Sequence, residues 1–214
     1  MRPIEISIAA LTDDVDGIAE AQTLGGAGNL SLDGALVSGG VATAAEAQIV
    51  TLTSVGNDSG ITFTITGKDA DGTIVSETKT GPNATTVTTT GFYTTVTQIA
   101  ASGATAADVT AGWVAADGAV TKSVPTNWRM TPYNQSLFVD IDGAMTYTVQ
   151  HTESNPQGSY TNSFSTDATW RATTGLAALS VDGEGNIAFP VRAVRLNITA
   201  YTSGTSVFTS LQSN

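Results

Sequence analysis

Six Asp-Gly dipeptides punctuate this chain, at Asp16-Gly17, Asp33-Gly34, Asp71-Gly72, Asp117-Gly118, Asp142-Gly143 and Asp182-Gly183. Several are flanked by alternating threonine, valine and isoleucine. A two-residue hairpin needs positive φ at its centre, which Asp tolerates and Gly adopts without steric cost. The pattern predicts an all-β protein of short antiparallel strands.

The strand faces follow from period-two alternation. Ile4, Ile6 and Ile8 alternate with Glu5 and Ser7 behind Pro3, predicting an extended N-terminal strand. Asp13 to Gly17 reads as irregular, and Asn29 to Leu32 leads into Asp33-Gly34. Gln48 to Val55 is strand-like and ends in a loop at Gly56–Gly60. Ile61, Phe63 and Ile65 share one face, and Ile74 marks the apolar face of the strand after Asp71-Gly72. Thr85 to Ile99 supplies further strand material with Val87, Phe92 and Val96, and Val109 to Val114 reads as the strand that closes this half. In the second half Leu137, Val139 and Ile141 lead into a turn at Asp142-Gly143, and Met145, Tyr147 and Val149 return from it. A further turn is expected over Asp182 to Asn186, then strands carrying Val194, Leu196 and Ile198 and, finally, Val207 to Leu211.

Between the halves the alternation lapses in a polar, proline-bearing stretch, which is how domain linkers read. The expectation is therefore two β-sandwich-like domains, Ig-like or jelly-roll-like, in series: residues 1–118 with the N-terminal strand, a linker over 119–135, and residues 136–214. Trp128, inside that linker, is expected to tuck into a core, because a tryptophan buries a large area.

Several chemistries are weakened by composition. The chain has no cysteine, so disulfides, thiolate zinc sites and thiol nucleophiles are absent. Only 13% of residues are charged, about half the usual fraction, with a net charge of −11 from 19 acidic and 8 basic residues. No Lys/Arg cluster offers a nucleic-acid footprint, and the acidic excess argues against an anionic membrane. The N-terminus does not read as a secretory signal, since Glu5 interrupts a short apolar run. Synthesis in the cytoplasm is the expectation.

His151 is the only histidine, with Glu153 the nearest acid in sequence. It is read as an ordinary histidine at a strand end, so no catalytic residue is assigned and no enzyme is expected. Asp69-Ala-Asp71-Gly72 and Asp182-Gly-Glu184-Gly-Asn186 resemble fragments of calcium loops, but neither completes the loop pattern. Hairpin tips whose Asp bonds its own backbone explain both, so no metal or cofactor is assigned. Gly25-Gly26-Ala27-Gly28 lacks the lysine and helix of a phosphate loop.

The run Ile61-Thr-Phe-Thr-Ile-Thr-Gly67, with Asp69-Ala-Asp-Gly72, Glu77-Thr, Thr80-Gly-Pro-Asn83 and Thr94-Thr-Val-Thr97, resembles a recurrent module of tailed-bacteriophage structural proteins. Met145-Thr-Tyr-Thr-Val-Gln-His-Thr152 and Ala188-Phe-Pro-Val-Arg-Ala-Val-Arg-Leu-Asn197 are similar to the same group. The resemblance implies a virion component without catalytic residues. The expected function is a capsid decoration (cement) protein on the outer shell, a homo-oligomer partnered by the major capsid protein and other virion proteins, with no nucleic acid or membrane. The alternative is a tail, baseplate or head-fibre component contacting a host glycan. A third reading, a secreted glycan-active enzyme or adhesin, lacks both a secretion signal and a catalytic cluster. Interface candidates are Met1, Arg2, Pro3, Ile4, Ile6 and Ile8, as a strand offered to a neighbour, and Tyr160 and Phe164 in the long polar segment.

Overall fold

In the computed structural model, which describes residues 3–156 and 168–212, the protein is all-β. The fifteen strands are β1 (Ile4–Ile8), β2 (Asp14–Gln22), β3 (Gly28–Asn29), β4 (Val37–Ser38), β5 (Val41–Asn57), β6 (Thr62–Lys68), β7 (Ile74–Thr80), β8 (Asn83–Ala101), β9 (Val109–Trp113), β10 (Ala119–Val120), β11 (Val124–Pro125), β12 (Gln135–Thr152), β13 (Arg171–Ala172), β14 (Gly183–Ile187) and β15 (Ala193–Gln212). Among the described residues the only helical element is one 3-10 turn, Ala115–Asp117. No helix there is long and apolar enough to cross a membrane.

The described residues group into two compact units. One is Thr12–Ala115; the other joins the N-terminal residues through Leu11 to the chain from Ala116 onward. The division differs from a split near residue 118, because β1 pairs antiparallel with β15, from Ile4 opposite Ser210 to Ile8 opposite Ser206. The stretch read as a linker also supplies strands: β10 and β11 both pair with β15.

In the unit Thr12–Ala115, β5 runs between β8 and β9. β8 hands on to β6, and β6 to β7 through the hairpin at Asp71-Gly72. Phe63 and Ile65 point into the core, as their alternation predicts, together with Ile18, Leu52, Tyr93, Ile99 and Trp113. One face differs from expectation: in β7 the buried residue is Val75 and Ile74 is exposed. In β8 the buried residues are Thr89, Tyr93, Val96, Ile99 and Ala101, while Val87 and Phe92 are only half-buried. Register shifts between β5 and β8, at Thr43/Gln48 and Ile49/Thr51, break the simple period; each such irregularity moves the side chains beyond it to the other face.

In the other unit β12 and β15 pair along nearly their whole length, from Gln135 opposite Gln212 to Thr152 opposite Ala193. Leu137, Val139, Met145, Tyr147, Val149, Val194, Leu196 and Ile198 fill its core, all on the faces their alternation predicts. Asp142-Gly143, however, is not a turn: β12 continues through it, and Gly143 lies opposite Gly204 in β15. Asp182–Asn186 is likewise no turn, since Gly183–Ile187 is β14, paired to the start of β12.

Candidate functional site

The expected N-terminal strand donor is already engaged. With one edge on β15 and Ile8 in the core, β1 is a strand of this chain and not a free arm. Pro3 and Ile4 are exposed and Ile6 is half-buried. Met1, Arg2, Tyr160 and Phe164 lie outside the described residues.

The tryptophan expected in a core is on the surface instead. Trp128 is 42% exposed, at the corner of a turn closed by the Met130 N–H donating to the Asn127 carbonyl at 3.1 Å. The turn is held from beneath. The buried Gln212 side chain accepts from the Asn127 N–H at 2.8 Å and donates to the Asn127 carbonyl at 2.9 Å. One residue earlier, the Thr126 N–H donates to the Arg192 carbonyl at 2.9 Å, and its hydroxyl donates to the carbonyl of Val191. The Arg192 N–H donates in turn to the carbonyl of Thr152 at the end of β12, at 2.7 Å.

Two exposed arginines converge on this ring. The Arg129 guanidinium is 4.9 Å from the Trp128 ring centroid and that of Arg192 5.7 Å, both within cation–π range. Among the described residues neither guanidinium forms an ion pair; the one ion pair found there joins Lys79 and Glu77 at 3.5 Å. Phe189, three residues before Arg192, adds a second exposed aromatic. A comparable stack lies near the other side of the β12 end, where Arg195 covers Trp170 at 4.1 Å and donates from Nε to Gln150 at 2.8 Å.

His151 underlies this rim as a structural residue. It is buried, with Nδ1 3.0 Å from the Thr173 hydroxyl and its ring edge-on to Phe189 at 5.4 Å. Burial pushes its pKa below the ordinary histidine value; Glu153 opposes this and Arg171 reinforces it. It lies near the end of β12 but is covered there by Thr173 and Phe189.

The two calcium-like fragments are backbone devices. Asp69 accepts from the Asp71 and Thr73 N–H groups, each at 2.9 Å, and Asp182 accepts from Ile141 N–H at 2.9 Å. Among the described residues no group of three or more His, Asp or Glu side chains is placed to hold a metal ion.

The arrangement presents a rigid aromatic surface with two cationic groups available to an outside anion. Interfaces are enriched in Trp and Arg for this reason: both bury large area and hydrogen-bond or stack at little entropic cost. Comparison with protein-family models, with curated proteins and with solved structures finds no match for this chain.

Proposed function

We propose that the protein is a non-enzymatic docking component of a tailed-phage virion, a decoration protein that binds the outer surface of the capsid shell after synthesis in the host cytoplasm. The observation that carries this reading is Trp128, displayed in solvent with two guanidinium groups against it while its turn is clamped by Gln212. A large apolar side chain held rigid at the surface gains nothing for folding and much for binding, since its ordering cost is met before the partner arrives. The phage-like runs quoted above support the virion setting. We take both units as β-sandwich-like domains. Supporting that reading, the positive-φ glycines Gly143 and Gly204 face each other in two long strands, the kind of point at which a strand can turn from one layer of a sandwich to the other.

On this reading shell stability rises because contacts made through the Trp128 surface are repeated at many equivalent positions over the shell, so weak contacts accumulate. Particles lacking the protein should rupture at lower temperature than complete ones, and adding back wild-type protein should restore the higher temperature while Trp128→Ala should not. Equal rupture temperatures for bare and decorated particles would refute shell binding.

The exposed aromatics Trp128 and Phe189 also fit the alternative of a tail or head-fibre protein stacking on a host sugar. Copy number separates the two: hundreds of copies per particle belong to a shell protein, and six or twelve to a tail or vertex.

A further inference from the structure

The Trp128 surface requires a partner that is both apolar and anionic, and this chain carries such a segment. In the unit Thr12–Ala115 eleven acidic residues face only two basic ones, Lys68 and Lys79, whereas Arg129, Arg171, Arg192 and Arg195 all lie in the other unit. At the start of β2, the run Asp13-Asp14-Val15-Asp16 brackets one valine with three carboxylates. Val15 is 56% exposed, and the Asp16 side chain beside it is exposed as well. Asp14 curls back to accept the Asp16 N–H at 3.4 Å, and Asp13 accepts from the Ala115 N–H at 3.1 Å, so the run is held in place. Among the described residues β2 ladders with β9, and its other edge is lined by the segment after Leu30, where the Leu36 N–H donates to the Gly17 carbonyl at 2.9 Å and the Gly34 N–H to the Ile18 carbonyl at 3.3 Å, so the run offers exposed side chains and not a free strand edge.

We infer that the Trp128–Arg129–Arg192 surface takes a second copy of this chain as its partner, receiving the Val15–Asp16 segment of the neighbour. The inference rests on reading the Trp128 surface as a docking face. Val15 covers the indole, and the carboxylates beside it meet the two guanidinium groups, which supplies both the apolar and the ionic half of the match. Each copy carries both patches, so every copy can give one such contact and receive another.

The test is charge-swap complementation by sedimentation velocity on the full chain. Wild-type protein should associate in a concentration-dependent manner that weakens with added salt. Arg129→Glu/Arg192→Glu and Val15→Lys/Asp16→Lys should each weaken self-association by at least about tenfold, the loss typical of a broken interfacial charge contact. Mixing the two variants should restore association, because each then offers what the other lacks. All four positions are exposed, and thermal melting of each variant verifies that it is folded; Trp128→Ala gives a second, charge-neutral loss of association. A wild-type protein that stays monomeric overturns the inference, as does association retained in either charge-reversed variant or folded variants that fail to complement. Monomeric protein that binds an anionic polysaccharide through Trp128 also overturns it, assigning the surface to a glycan. Shell binding is read separately: a monomer that still decorates shells refutes self-docking alone, and an associating protein that ignores shells refutes decoration alone.

Discussion

Gly143 and Gly204 face each other across β12 and β15, both with positive φ, at +128° and +105°. A Cβ on Gly204 would collide with the Asp142 carbonyl, and one on Gly143 with the Ser203 carbonyl. The reciprocal pair lets the two long strands approach and bend here while staying paired, with register shifts just beyond it at Ala144/Met145 and Thr146/Tyr147. Gly204→Ala therefore meets both left-handed strain and a backbone clash, and should cost about 2–4 kcal/mol in urea unfolding. Gly25→Ala, in open space without positive φ, should stay within about 0.5 kcal/mol of wild type. Equal costs at the two sites would contradict this account of the bend.

Gln212 does for Asn127 what a neighbouring strand would do, satisfying both its N–H and its carbonyl. Leucine at position 212 fills similar space but leaves the Asn127 N–H unpaired and its carbonyl with the Met130 N–H alone. Gln212→Leu should lower stability by about 1–3 kcal/mol and loosen the turn, so Trp128 fluorescence anisotropy should fall. If the anisotropy is unchanged, the clamp does not hold the indole.

Much of the core is legible in the sequence, and the reason is physical. Leu137/Val139, Met145/Tyr147/Val149 and Val194/Leu196/Ile198 each lie on a strand with one buried face, where alternation encodes direction. The Asp-Gly signal is less transferable. Asp71-Gly72 is a hairpin tip, with Gly72 at φ +80°. At Asp142-Gly143 the same dipeptide bends a continuous strand, and Asp16-Gly17 and Asp33-Gly34 pack against each other, where a Cβ on Gly34 would strike the Gly17 backbone. Asp-Gly reports that a special conformation or close approach is tolerated, not that the chain reverses. Trp128 was illegible for another reason: its exposure is set by Gln212 and Arg192, distant in sequence, and nothing local encodes them.

Glu77 fastens the edge strand β7 to the middle of β8. Its carboxylate accepts from the Thr90 N–H at 2.8 and 3.1 Å and from the Gly91 N–H at 2.9 Å. An inward-pointing charge on an edge strand also discourages pairing with another chain. Glu77→Ala should destabilise by about 1.5–3 kcal/mol, the range for hydrogen bonds to a charged group. It should also raise the rate of aggregation in heated samples. Glu77→Gln, which keeps an acceptor but loses the charge, should fall between wild type and alanine in both assays.

His151 and Glu46 should tilt the stability–pH curve in opposite directions. His151 has a folded pKa below its unfolded value of 6.5; its contribution is fully present above pH 6.5 and is lost as pH falls through the lower folded pKa. Glu46, half-buried in the irregular stretch of β5 between Thr43 and Gln48, is pushed by burial from 4.5 up to about 7. Its folded state prefers the proton, so that contribution is present below pH 4.5 and is lost as pH rises through about 7. Glu46→Gln should thus leave the acid side unchanged and raise stability near pH 8 by on the order of 1–2 kcal/mol, allowing for solvent screening of a partly exposed group. His151→Gln should flatten the slope just below pH 6.5 and leave the alkaline side to Glu46. Urea midpoints across pH 4–9 for the two variants read both effects, and a Glu46→Gln curve parallel to wild type would show that burial does not hold this carboxyl's proton.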